Sequence, residues 1–176
     1  SVKLYFMLGL PTETDEDVIG IAELAYKIIQ EWKANAVNKK RGLSINLATA
    51  YFVPKPFTPF QWEAQITPEE YLRRVHLLQS CLTARGVDYR YHESDLSRLE
   101  AVLARGDRRL SKVLLRAHAL GCKLDGWDEY FRYDLWMQAF SDCGVDPEFY
   151  TTRGFGEDEI LPWQTIDIGV SRDFFL

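Results

Sequence analysis

Two segments carry residues whose types and spacing could do chemistry. In the first, Phe6 to Val18 (FMLGLPTETDEDV), an apolar run passes through Gly9 and Pro11 into Thr12, Glu13 and Thr14. A strand that ends in such a turn and hands over to a helix is how many α/β enzymes present a site at the carboxyl ends of their strands. Gly9 lacks a Cβ, so a ligand could approach its backbone closely; the same property relieves crowding where a strand becomes a turn. In the second, Ala50 to Glu63 (AYFVPKPFTPFQWE), Pro54, Pro56 and Pro59 forbid helix while Phe52, Phe57, Phe60 and Trp62 supply rigid apolar area. That combination makes a preformed rim. It reads either as a lid that turns Lys55 toward a substrate or cofactor carboxylate, or as a packed turn.

A third set is basic. Arg105, Arg109, Lys112 and Arg116 recur at helical spacing, with Arg108 and Lys123 nearby. On one helix they would form a stripe able to hold RNA or an acidic protein, although a solvated helix face has the same pattern and Gly106 interrupts it after Arg105. Cys81, Cys122 and Cys143 have neither CxxC spacing nor the number for a disulfide framework, and read as buried thiols. His76, His92 and His118 lack ligand spacing and read as structural. No catalytic residue and no metal ligand is assigned.

The elements that must position these groups follow from periodicity. Val2 to Leu10 is a nearly continuous apolar run, the pattern of a strand in a parallel sheet. It starts at residue 2, so further sequence upstream is expected. Thr12 and Thr14, with Asp15, Glu16 and Asp17 behind them, open a helix whose Val18, Ala22, Ala25, Ile29 and Trp32 share a face. After a basic stretch, Leu43 to Val53 reads as a second strand. One face is bulky (Leu43, Ile45, Leu47, Tyr51, Val53) and the other small or polar (Ser44, Asn46, Ala48, Ala50), so in a barrel the small face would leave room for a ligand. Thr67-Pro68-Glu69-Glu70 caps a second helix, with Tyr71, Val75, Leu78 and Leu82 on its apolar face. Strand, helix, strand at this spacing is a right-handed βαβ unit. Val87 to His92 alternates briefly like a strand, and helices are predicted over Asp95–Arg105, Asp107–Leu120 and Trp127–Cys143, with Gly106, Gly121 and Gly144 at their ends.

The turn Gly9-Leu10-Pro11-Thr12-Glu13-Thr14 resembles the G-[FLI]-P-x-E-T turn that closes the fifth strand of the radical S-adenosylmethionine barrel. Thr12 stands where many members carry a second glycine, which speaks against a tight phosphate loop. The stretches ARGDRRLSKVLLRAHALGCKLDGWDEYF and DPEFYTTRGFGEDEILPWQTIDIGVSRDFF resemble the tail of an uncharacterised radical S-adenosylmethionine family related to cobalamin-binding members. The resemblance implies an α/β fold: a partial (β/α) barrel of about two parallel strands with covering helices over residues 1–86, then a mainly helical extension over 87–176. It implies S-adenosylmethionine and a 4Fe-4S cluster in the full-length parent. Met7, Leu8, Gly9 and Leu10, with Ala48, Ala50, Phe52 and Val53, would then lie against the adenosyl group. Lys55, Arg109, Lys112 and Arg116 would face substrate or partner. The CxxxCxxC triplet of that superfamily is missing, so this chain by itself is expected to be inactive, to bind neither cofactor alone, and to need the upstream part of its polypeptide.

Composition sets the outer bounds. With 176 residues, 47% of them hydrophobic and 14% aromatic, the chain can build a core. A net charge of −5 argues against binding nucleic acid over the whole surface. No run approaches a membrane span and no signal peptide opens the chain, so a cytoplasmic location without membrane contact is expected. Two or three strands cannot close a barrel, so self-association, together with cover from aromatics such as Trp127 and Trp136, is expected to hide the open sheet.

Overall fold

A computed structural model describes residues 1–40 and 42–176. It is an α/β structure that divides into two units, Ser1–Phe52 with Ile66–Ser94, and Val53–Gln65 with Asp95–Leu176. Arg41, in the basic stretch before the second strand, lies outside the described residues.

The first unit is built on three parallel strands in the order β1 (Val2–Leu8), β2 (Ile45–Tyr51), β3 (Val87–Tyr91). The register sets Val2 against Ile45 and Leu8 against Tyr51, and Ile45 against Val87. Helix α1 (Asp15–Asn35) begins as its sequence requires: Thr14 accepts from the Asp17 amide at 3.3 Å, while the Asp17 carboxylate accepts from the Thr14 amide at 2.9 Å. Helix α2 (Pro68–Cys81) is capped by Thr67, which accepts from the Glu70 amide at 3.2 Å, with Pro68 at the first turn. Val18, Ile21, Ala22 and Ala25 of α1 and Tyr71, Val75 and Leu78 of α2 close over Leu8, Ile45, Leu47 and Tyr51. The bulky face of β2 thus meets helices, as its alternation predicts.

The strand expected at Val87–His92 is present as β3, Val87–Tyr91. The sequence reading places residues from 87 onward in the helical extension, but β3 pairs with β2 and belongs to the sheet. The alternation gives the strand but not its partner, which is distant in sequence. The sheet therefore has three strands rather than about two.

In the second unit, α3 (Ser94–Arg105), α4 (Leu110–Leu120) and α5 (Tyr133–Asp142) enclose a core of Leu99, Val102, Leu110, Val113, Ala117, Trp136, Phe140 and Tyr150. Helix α4 starts three residues later than predicted because the Asp107 carboxylate accepts from the Arg109 amide at 2.9 Å, folding that stretch into a turn. Gly121 ends α4 with φ of 106°. Helix α5 starts at Tyr133 rather than Trp127. The intervening residues form turns that begin with Leu124 at φ of 61° and leave Trp127 and Tyr130 exposed. The proline-rich segment 53–65 packs in this unit: Phe57 and Trp62 join Phe155, Leu161 and Trp163, and Trp62 accepts from the Phe155 amide at 2.8 Å.

Of the three cysteines, only Cys122 is buried; Cys81 and Cys143 are half-buried thiols. No helix among the described residues is long and apolar enough to cross a membrane.

Candidate functional site

Because side chains alternate along a strand, the face of the sheet opposite α1 and α2 is made by every second residue. The register groups them into cross-strand rows: Lys3, Asn46 and Asp88, then Tyr5, Ala48 and Arg90, then Met7 with Ala50. Tyr5 is 73% and Met7 49% exposed. Small residues in the middle strand make a trough between larger ones on either side. Two adjoining hollows follow from it, one of about 290 Å³ lined by Lys3, Tyr5, Asn46, Ala48, Asp88 and Arg90, the other of about 310 Å³ lined by Tyr5, Met7, Ala48, Ala50 and His92. Arg90 reaches Asp88 at 3.2 Å, so the trough carries an exposed ion pair at one end and an imidazole at the other.

The turn at the carboxyl end of β1 is clasped by a residue that the sequence reading gave no role. Glu13 Oε2 accepts from the Gly9 amide at 2.8 Å and from Arg74 Nη1. Both side chains are nearly buried. Arg74 Nε also reaches Glu70 at 2.9 Å, and Arg73 joins Glu70 at 2.7 Å to Asp15 at 2.6 Å. This network ties the β1 turn and the start of α1 to the first turns of α2. The Arg73 hydrogen bond, more than that of Arg74, holds the Glu70 carboxyl down at about 2. Gly9 has φ of 94°, and a Cβ there would come within 2.8 Å of Ile66 Cδ1. The left-handed backbone favours a glycine here, and a side chain would also force Ile66 to shift. Thr12 has φ of 66°, the left-handed conformation a glycine would take.

The predicted cofactor residues separate into groups. Met7, Ala48 and Ala50 lie together on the open face. Leu8 points the other way, fully buried in the core, and Phe52 is buried as well. Gly9 and Leu10 form the turn, and Val53 starts the segment that packs in the second unit. Lys55 is paired with Glu100. Arg109 is bound to Asp107 at 2.7 Å and lies 5.0 Å from the Phe149 ring centre; Arg116 is bound to Asp142 at 2.6 Å; Lys112 is exposed on α4. Arg105, at the end of α3, is fully buried over the Phe155 ring at 4.6 Å, donating to the Glu63 carbonyl, so no continuous stripe runs from it into α4. Burial, reinforced by Arg153, pushes its guanidinium down to about 10.

Lys3 and Arg90 of the trough have no role in the reading of the sequence. The alternation of residues 87–92 gives a strand, but which side chains stand beside Asn46 and Ala48 depends on its pairing with β2. His92, read as structural, is exposed at this site. Among the described residues, no three of His, Cys, Asp or Glu come together in a way that could hold a metal.

No family model matches the chain, and no solved structure matches it. The chain is 32% identical over 144 residues, 82% of its own length, to an uncharacterised protein of Methanocaldococcus jannaschii. It spans 30% of that relative's length.

Proposed function

We propose that this chain is the carboxy-terminal portion of a radical S-adenosylmethionine enzyme, with the open face of its sheet forming part of the wall that holds the adenosyl group and substrate. The observation that carries the reading is the uncovered face of a parallel sheet. Purely parallel sheets occur almost only with both faces covered, and here one face bears small and polar residues with hollows large enough for part of a nucleoside. The greater length of the relative supports a parent polypeptide that supplies the remaining strands.

In this reading Ala48 and Ala50 leave space for the adenosine, Tyr5 and Met7 offer it an apolar side, and Asn46, Asp88 and Arg90 offer hydrogen bonds to its polar edges. The Glu13–Arg74 clasp holds the turn after β1 in place at the carboxyl end of the sheet, where β/α barrels carry their sites. S-adenosylmethionine, held by an iron–sulfur cluster in that superfamily, supplies radical chemistry. The CxxxCxxC triplet that binds the cluster in that superfamily does not occur in this sequence, so its ligands would come from elsewhere in the parent. The other reading, RNA or protein binding through α4, has less support because Arg109 and Arg116 are each neutralised by a neighbouring carboxylate.

The test uses the parent polypeptide, reconstituted anaerobically with iron and sulfide. Cleavage of S-adenosylmethionine to 5′-deoxyadenosine is expected. Ala48→Trp, which fills the trough, is expected to weaken S-adenosylmethionine binding at least about tenfold, equivalent to roughly 1.4 kcal/mol. A parent that neither binds nor cleaves S-adenosylmethionine, or one indifferent to the tryptophan, would overturn the reading.

A further inference from the structure

The second unit contains a cavity of about 290 Å³ unrelated to the sheet. Its walls include Phe57, Trp62, Trp163 and Phe175, and its rim carries Glu157, Asp158 and Asp167. One wall is fixed: Gln61 Oε1 accepts from Trp163 Nε1 at 2.8 Å and from the Phe57 amide at 3.2 Å. Glu159 also lines the cavity, but its carboxylate is taken up by Arg153 at 2.7 and 3.0 Å. The single cation among the lining residues is Arg172, from the short 3₁₀ turn Arg172–Phe174. Its guanidinium stands 6.0 Å from the Trp62 ring centre, donates to the Glu157 carbonyl and lies 3.9 Å from Asp158.

These contacts are those of a ligand in a recognition site. Aromatic rings attract a cation over their faces, and a planar guanidinium suits them better than a compact ammonium does. A carbonyl and carboxylates complete the coordination. The acidic rim outnumbers Arg172, so the charge of the pocket still favours a cation. Arg172 itself is only half-buried and held by an exposed aspartate, which makes it a weakly bound occupant.

We infer that this cavity is a guanidinium-binding site and that Arg172 is a tethered stand-in for its ligand, either a small free guanidinium compound or an arginine presented by a peptide. A tethered group competes at an effective concentration in the millimolar range, so the site is masked rather than abolished.

The experiment follows tryptophan fluorescence as butylguanidinium is added to the wild type and to Arg172→Ala. The variant is expected to saturate at about a tenfold lower concentration or less. Neutral butylurea, of the same shape, is expected to leave the signal unchanged, and Trp62→Leu in the variant background to remove the response. Comparing butylguanidinium with acetyl-Gly-Arg-Gly-amide identifies the source, the tighter of the two marking the natural presentation. In the wild type, the Arg172 Nε–H resonance is expected to move toward that of free arginine as butylguanidinium displaces it, a measurement independent of any variant's folding. An unmoved resonance, equal binding of butylurea, or equal affinity of the wild type and Arg172→Ala would overturn the assignment.

Discussion

Gly9 and Thr12 occupy the same turn and both have positive φ, yet only one is a glycine. At Gly9 the strain of a side chain adds to a collision with Ile66, so Gly9→Ala is expected to destabilise the chain by about 1–3 kcal/mol in urea unfolding. At Thr12 a β-branched residue pays the left-handed penalty on an exposed position, and Thr12→Gly is expected to stabilise by about 0.5–1 kcal/mol after the added entropy of the unfolded chain is subtracted. A loss of stability on Thr12→Gly would show that the threonine side chain holds the turn. The need for a glycine at position 9 was legible from the strand-to-turn sequence. The role of Glu13 was not, because its arginine partner lies 61 residues further on and only the fold brings them together.

Among the elements, α1 and α2 were readable because cap, acidic first turn and apolar face all agree. The start of α5 was misjudged because the turns from Leu124 to Arg132 keep aromatic residues that mimic a helical face. Helix α2 also carries a pH response. Its Glu70 carboxyl is held at about 2 against an ordinary 4.5, so the native state binds this proton less readily than the unfolded chain does. The stabilisation is therefore complete above about pH 4.5 and is lost as pH falls toward 2. Melting temperatures measured between pH 6 and about 2 are expected to fall more steeply for the wild type than for Glu70→Gln. Parallel curves would mean that the arginines hold Glu70 no more tightly in the folded state than in the unfolded one. In the same helix, Tyr71 stacks on Tyr51 at 4.2 Å and donates to the His92 carbonyl at 2.9 Å, linking α2 to β2 and the end of β3. Tyr71→Ala is expected to cost about 3–5 kcal/mol, read from the urea midpoint.

At the scale of the whole molecule, the sheet is unevenly covered: one face is packed by two helices, the other exposes Tyr5 and Met7, and β1 and β3 each pair with β2 alone. Exposed strand edges and apolar sheet surface are templates for pairing with a second copy. The chain in isolation is therefore expected to self-associate, with a light-scattering mass that rises with concentration. The two faces give different substitutions different meanings. Phe6 lies on the helix-covered face and packs against the core, so Phe6→Asp puts an unpaired carboxylate into apolar surroundings and is expected to unfold the unit. Tyr5 and Met7 lie on the open face, so the double variant Tyr5→Lys, Met7→Lys adds charge where solvent can reach it and is expected to leave the circular dichroism unchanged while shifting the mass toward the monomer. A wild-type chain that stays monomeric and folds cooperatively at every concentration would show that the open face needs no cover, and the case for a barrel wall completed by the rest of a longer protein would lose its main support.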